Sequence, residues 1–307
     1  MSTGNYRVIT RGLIGTSRSS PSSRSRRKNC ECRRRRQRNQ PQRGLTVLNF
    51  AMQMARDAGS VLMQRLGTAK VSTKGDINLV TEADLASEQL IIDRIRSYHP
   101  QHGILAEESG EAVVVNGKRS EWKWIIDPLD GTTNYAHGYP CFSVSIALEY
   151  QGVLEIGVVY DPVRDEMFAA ERGKGATLNS RTIRVSEVDE LNKAMICTGF
   201  PYNVRERPDF ARDFANFTMA AQAVRRDGSA AIDLAYVACG RFDGFFEDGL
   251  SPWDTAAGMV LIQEARGRVT NFDDQPLDVY TQKVLASNGL IHDAMRSVLL
   301  HGANRSL

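Results

Sequence analysis

The 307-residue chain is 42% apolar and 24% charged, the balance of an ordinary soluble globular protein long enough for one large or two medium domains. It has no window near the roughly 18 consecutive apolar residues of a membrane helix. The formal charge of +3 hides a split, because residues 1–43 hold 13 Lys and Arg against the single acid Glu31, and the rest of the chain is left with 26 basic and 35 acidic side chains.

A body of net −9 has no general attraction for nucleic acid, which is bound mainly by Lys and Arg neutralising phosphates. Any phosphate it handles is therefore expected to be met through metal ions. Cysteines at 30, 32, 141, 197 and 239 are too few and too scattered for a disulfide framework, and no CxxC pair suggests zinc. Free thiols in a reducing, cytoplasmic setting are expected.

The Arg- and Ser-rich residues 1–43 lack periodic apolar positions and are predicted to be disordered. Three readings stay open for them: an organelle transit peptide, a basic arm for nucleic acid or anionic surfaces, or a dispensable extension. Order is expected from about Leu45, where "LTVLNFAMQMARDAGSVLMQRLG" places Leu48, Met52, Ala55, Val61 and Leu62 at helical spacing before Gly67. A second helix is expected in "TEADLASEQLIIDRIRSYHP", capped by Thr81, with Leu85, Leu90, Ile91 and Ile95 as its buried stripe and Pro100 as its end.

The period then changes. "GILAEESG", "WKWIIDP", "CFSVSIALEYQGVLEIGVVYDP" and "EMFAAERGKGATLN" read as strands. After them come a strand at "KAMICTGF", helices at "PDFARDFANFTMAAQA" and "SAAIDLAYVACG", a strand at "FDGFFED", and a helix at "SPWDTAAGMVLIQEA". A strand at "KVLASN" and a helix at "HDAMRSVLLH" close the chain. Antiparallel strands early and βα alternation late predict a layered α/β fold with sub-domains over 44–186 and 187–307.

Acids gather where these elements end. Glu107 and Glu108 follow "ILA", Asp127 and Asp130 follow "WII", and Asp254 opens a helix. Taken singly, the Asp-Pro and Asp-Gly pairs could be turn formers, Asp254 a helix cap, and "EES" a solvated strand end. Taken jointly, carboxylates pooled in a crevice repel one another unless cations offset them. Oxygen ligands without a His or Cys cluster favour Mg²⁺ over zinc. Gly131 permits close backbone approach, and a helix starting at "GTTN" would turn free N–H groups toward an anion. His137, the histidine nearest the motif, is expected to be solvated.

"DPLDGTTN", with "AEES" upstream, "WDTAAGMVLIQEA" downstream and "KGDINLVTEAD" before the second helix, resembles the inositol monophosphatase family of Mg²⁺-dependent, lithium-sensitive sugar phosphatases. The likeness runs from Leu45 to about Met295 and implies a layered α-β-α-β-α sandwich and a homodimer. It implies that Glu107, Asp127 and the Leu129 carbonyl hold one Mg²⁺, and that Asp127, Asp130 and Asp254 hold a second. Thr132 would orient the attacking water and Asp84 would hold the threonine hydroxyl, with Glu107 completing the catalytic set. Gly131 and Thr132 would bind the phosphate. Asp130, Ser229, Ala230 and Glu247 would meet the hydroxyls of a small polyol.

The implied reaction is two-metal hydrolysis of a small phosphate monoester, with inositol-1-phosphate the expected substrate. Fructose-1,6-bisphosphate and histidinol phosphate are the enzymatic alternatives. An RNA- or transcription-associated factor with a secondary phosphatase site is the alternative of another class, since some bacterial relatives have such a role; nucleic acid would then be met through the tail. The chain departs from the family at "EARGR", where Arg266 replaces a small residue, and arginine would be strained there if the turn needs a positive φ.

Overall fold

The computed structural model describes residues 46–74, 78–112, 114–115, 118–201 and 208–303. The tail 1–43 and residues 75–77 of the "KGDINLVTEAD" motif lie outside these.

Helix α1 (Val47–Arg65) starts at Thr46, whose hydroxyl accepts from the Asn49 N–H at 3.2 Å. It buries Phe50, Ala51, Met54, Ala55, Ala58 and Leu62. Of the expected stripe, Ala55 and Leu62 are fully buried, while Leu48 and Met52 pack at the margin of the core. The stripe is rotated because the small residues face inward: a Cβ on Gly59 would stand 2.7 Å from the Tyr160 ring.

Strands β1 (Val71–Lys74) and β2 (Asn78–Thr81) form an antiparallel pair that leads into α2 (Glu82–Tyr98). The Thr81 cap is present as a capping box, in which Asp84 Oδ2 accepts from the Thr81 N–H at 2.9 Å. Leu85, expected to be buried, is 54% exposed. The helix instead turns Asp84, Ser87 and Glu88 inward, where Ser87 donates to the Pro128 carbonyl at 2.8 Å and Glu88 accepts from the Glu108 N–H at 2.9 Å. Site chemistry has overridden the amphipathic pattern.

Next come β3 (Gly103–Ala106), β4 (Gly110–Ala112), the small hairpin β5 (Val114–Val115) and β6 (Lys118–Arg119), and β7 (Trp122–Asp130). The short α3 (Thr132–Ala136) precedes β8 (Ser143–Tyr150), β9 (Val153–Asp161), β10 (Glu166–Glu171), β11 (Gly175–Leu178) and β12 (Arg181–Thr182). Eight of these strands make one sheet in the order β12-β11-β10-β9-β8-β7-β3-β4, in which only the β3–β7 pair is parallel.

The remainder runs β13 (Met195–Thr198), α4 (Pro208–Ala220), β14 (Ala223–Arg225), α5 (Ala230–Ala238), β15 (Gly244–Asp248), α6 (Pro252–Glu264), β16 (Arg268–Thr270), β17 (Lys283–Ser287) and α7 (His292–His301). Its five strands form a mixed sheet in the order β14-β13-β15-β17-β16.

The period-2 alternation of strand side chains assigns the layers. Trp124, Ile126, Ile146 and Val158 face α1 and α2, while Ile125, Ala147 and Val159 face α5 and α6. Across the second sheet Phe245 joins the α5–α6 core, whereas Phe246 and Leu285 join a third core with α4 and α7. The result is an α-β-α-β-α sandwich. Helix α6 is buried from Thr255 to Ile262, as a helix between two sheets must be. It approaches β9 so closely that a Cβ on Gly157 would lie 2.4 Å from the Ala257 carbonyl oxygen.

The turn after α6 does require a left-handed residue, and Arg266 supplies it at φ 73°, a conformation that costs a non-glycine residue about 1 kcal/mol. The following Gly267 has no room for a side chain, since a Cβ there would meet Ile262 at 2.6 Å and the Ser287 carbonyl oxygen at 2.7 Å. No described helix is long and apolar enough to cross a membrane.

Candidate metal and substrate site

Strand β7 does not stop at Asp127. It runs on to Asp130 through a register shift against β8, with Asp127 paired to Ser145 and Asp130 to Ser143. Such a bulge re-aims side chains, and here it brings two carboxylates three residues apart to one place. Asp254, in the first turn of α6, joins them, and its carboxylate accepts from the Ser251 N–H at 2.7 Å. One oxygen from each of Asp127, Asp130 and Asp254 lies within 4.8 Å of the others.

Glu107 stands at the turn after β3, and its N–H is bonded to the Ile126 carbonyl at 3.2 Å. Its charge reaches the cluster. Burial first, and then the charges of Glu107, Asp130 and Asp254, push the Asp127 carboxyl well above the usual carboxylate range. Asp254 is pushed up to about 7, by burial and then by Asp130. The donor set is all oxygen and crowded with like charge, which suits a hard divalent cation. The Leu129 carbonyl lies at the same place, 3.0 Å from Thr132 Oγ1.

Thr132 begins α3, and its hydroxyl is also 3.1 Å from Asp84 Oδ1. The other Asp84 oxygen is engaged by the Thr81 N–H and hydroxyl. Asp84 is thus oriented by its own helix cap, with Oδ1 left for Thr132. Gly131 sits at φ 92°, and a Cβ there would press on the Cys141 and Gly228 carbonyls at 3.0 and 3.2 Å. His137 is exposed at the end of α3.

The opposite wall comes from the second half of the chain. Asp130 Oδ2 accepts from the Ser229 hydroxyl and, at 2.9 Å, from the Ala231 N–H. These bonds, with one from the Ala230 N–H, oppose the upward push of burial on Asp130. Ser229 and Ala230 therefore hold Asp130 from the start of α5. Glu247, on β15, is buried and held by the Gly199 N–H. A Cβ on Gly199 would fall 2.2 Å from both Glu247 carboxylate oxygens. These groups line a cavity of about 110 Å³ that also includes Arg226, Asp233 and Asp254.

Of the expected residues, Asp130, Gly131, Ser229, Ala230, Glu247 and Asp254 line this cavity, and Asp127 joins Asp130 and Asp254. Thr132, Leu129 and Asp84 are tied to one another and to Asp127 by hydrogen bonds, and Glu107 acts on Asp127 through its charge. Sequence reasoning missed Asn134, whose amide donates to the Cys141 and Asp227 carbonyls at 2.7 and 2.8 Å and so ties the α3 segment to the α5 segment. It also missed Gly199 and Asp233. The signal for Asp233 was present as the one acid inside the apolar run "AAIDLAYVA".

Comparison with known proteins identifies the family. Residues 45–303 match the inositol monophosphatase family. An inositol-1-monophosphatase of Synechocystis sp. is 45% identical over 257 residues, spanning 83% of this chain and 88% of that protein. The Nus factor SuhB of Escherichia coli is 44% identical over 257 residues, spanning 81% and 94%. A solved inositol monophosphatase from Anabaena (Nostoc) sp. superposes with a TM-score of 0.75 at 48% identity, covering 84% of this chain and 97% of that one. Matched from residue 45 to 303 and along 81–84% of its length by these relatives, the chain belongs to the inositol monophosphatase family of phosphatases.

Proposed function

We propose that the protein is a Mg²⁺-dependent hydrolase of small polyol phosphate monoesters, with inositol-1-phosphate the preferred substrate. The observation that carries this reading is the meeting of Asp127, Asp130 and Asp254 oxygens within 4.8 Å, in a cavity whose other wall offers Ser229 and Glu247.

In this reading Glu107, Asp127 and the Leu129 carbonyl hold one ion, and Asp127, Asp130 and Asp254 hold another. Bound there, Mg²⁺ would offset the charge of the ester and acidify a water near neutral pH. The chain does the positioning. Thr132 donates its hydroxyl proton to Asp84 Oδ1 and accepts from the attacking water, which fixes the direction of attack. The Gly131 and Thr132 N–H groups bind the phosphate oxygens. Glu247, Ser229 and Ala230 meet the polyol hydroxyls, a carboxylate being suited to accept two hydroxyl hydrogen bonds. The proposal divides the body at residue 186, with Asp254 and these substrate contacts on the C-terminal side. It includes a homodimer, after the family, and a reducing cytoplasm, after the free thiols of Cys141, Cys197 and Cys239.

The test is phosphate release from inositol-1-phosphate, fructose-1,6-bisphosphate, histidinol phosphate and 3′-phosphoadenosine-5′-phosphate, with and without Mg²⁺ and Li⁺. Turnover is expected to be highest on inositol-1-phosphate, to require Mg²⁺ and to be suppressed by Li⁺. Preference for any of the other three would overturn the substrate assignment.

A second reading, association with RNA or the transcription machinery, is favoured by the 13 basic residues of the tail and by relatives named as Nus factors. Deleting residues 1–43 is expected to leave phosphate release unchanged. If the second reading holds, the deletion abolishes an RNA binding that weakens steeply with salt. Full-length protein that binds no RNA at low salt would rule it out.

A further inference from the structure

One acid of the cleft has no hydrogen-bond partner for its carboxylate among the described residues. Asp233, in the first turn of α5, is 1% exposed and lines the cavity beside Asp130 and Glu247. Neither of its carboxylate oxygens has a hydrogen-bond partner among the described residues. Its neighbours differ. Asp130 is bonded by Ser229 and Ala231, Asp254 by the Ser251 N–H, and Glu247 by the Gly199 N–H. Buried polar side chains in folded proteins are almost always paired, and one left bare carries its whole desolvation cost. A buried carboxyl in a cavity lining, with neither oxygen bonded among the described residues, points to a partner that arrives from outside.

The surroundings narrow the chemistry of that partner. Asp227, Glu247 and Asp130 press negative charge on Asp233, and Arg226 opposes them. An anionic group is excluded there by repulsion. A cation is poorly served as well, since the oxygens that converge belong to Asp127, Asp130 and Asp254 and do not include Asp233. Burial first, and then the neighbouring acids, push Asp233 well above the usual carboxylate range; a carboxyl accepts a hydrogen bond in either form and, when protonated, donates one too. A hydroxyl is the matching group, for it accepts one hydrogen bond and donates another.

We infer that Asp233 is a specificity-determining residue that hydrogen-bonds a hydroxyl of the substrate, deeper in the cavity than the scissile phosphate and beyond the reach of Glu247. The inference rests on the polyol phosphatase reading above. It makes the pocket select for the position of a particular hydroxyl, not only for a polyol in general.

The experiment measures kcat and KM for the full-length protein with Mg²⁺ on myo-inositol 1-phosphate, on its monodeoxy analogues and on p-nitrophenyl phosphate, which has no ring hydroxyl. Asp233→Leu is expected to lower the ratio of kcat/KM for inositol phosphate over p-nitrophenyl phosphate about tenfold or more, mainly through KM, as loss of a buried hydrogen bond does. Asp233→Asn, which keeps a donor and an acceptor, should recover part of that ratio. One monodeoxy analogue should be poor with the wild type yet no poorer than inositol phosphate with Asp233→Leu. A ratio that stays constant, with any melting-temperature change but no shift in selectivity, would show that Asp233 binds only a structural water and would overturn the inference. Failure of the wild type on every polyol phosphate would instead sink the functional reading beneath it. If Asp233→Leu does not fold, the Asp233→Asn ratio and the wild-type analogue series still decide, and identical values across that series overturn the inference.

Discussion

Asp127→Asn is expected to lower kcat/KM about a thousandfold or more, and to do so in a protein that is no less stable without metal. Asp127 is the centre of the acidic cluster: its carboxyl faces Glu107, Asp130 and Asp254 and is raised by all three. A thousandfold corresponds to about 4 kcal/mol of transition-state stabilisation, within what a ligand shared by two ions can supply. The amide keeps the shape and can still accept from the Leu129 N–H, which bonds Asp127 Oδ1 at 2.9 Å. It removes one charge from a place where charge is repelled. In EDTA at pH 8 the variant should therefore melt at or above the wild-type temperature, and addition of Mg²⁺ should raise its melting point less than the wild type's. Activity within tenfold of wild type would break the metal assignment, and a collapse of melting temperature would make the loss of activity one of unfolding.

The second large effect is on stability. Without metal, the melting temperature is expected to fall by about 5 °C or more between pH 6.5 and 8.5, and saturating Mg²⁺ should abolish that fall. Burial and then Asp130 push Asp254 up to about 7, far above an ordinary carboxylate, and Asp127, Glu247 and Asp233 are also raised. A carboxyl whose folded proton affinity exceeds its unfolded one contributes stability that is full below the unfolded value and is lost as pH rises through the folded value. Asp254 loses about 1 kcal/mol across this window, and a carboxyl that titrates higher loses up to about 2.7 kcal/mol. His102 and His292, pushed down to about 4, work in the opposite direction, because their unfolded forms still lose a proton near pH 6.5. Each returns about 0.4 kcal/mol across this window, so the net fall comes from the carboxyls that titrate higher. Mg²⁺ at about 100 times its dissociation constant would add roughly 2.7 kcal/mol. Equal melting temperatures in EDTA and Mg²⁺ at pH 8.5 would show that the cluster holds no cation.

The sequence disclosed the ends of elements better than their faces. The apolar run "WII" followed by Asp127 and Asp130 located the cleft, because two acids at the end of a buried strand must be met by hydrogen-bond partners or by cations. The same run could not disclose the bulge that carries β7 on to Asp130, since a register shift is settled by the partner strand. The helix "TEADLASEQLIIDRIRSY" was legible in extent and in its Thr81 cap. Its rotation was not, because Asp84, Ser87 and Glu88 answer to hydrogen bonds from Thr132 and the β3–β7 edge, not to apolar periodicity, and Leu85 is turned outward as a result. The strain at Arg266 was legible from one residue type in one turn. The clamp of Asn134 and the bare carboxyl of Asp233 were not, for each depends on contacts made across roughly a hundred residues of chain or on contacts not made at all.

The bonds that steady Asp130 come from a residue 101 positions later, the Ala231 N–H, and from its neighbour Ser229. As a nascent chain leaves the ribosome, the acids of β7 therefore emerge long before the groups that hold them. The acidic cluster is complete only after the segment that begins α6 has been made.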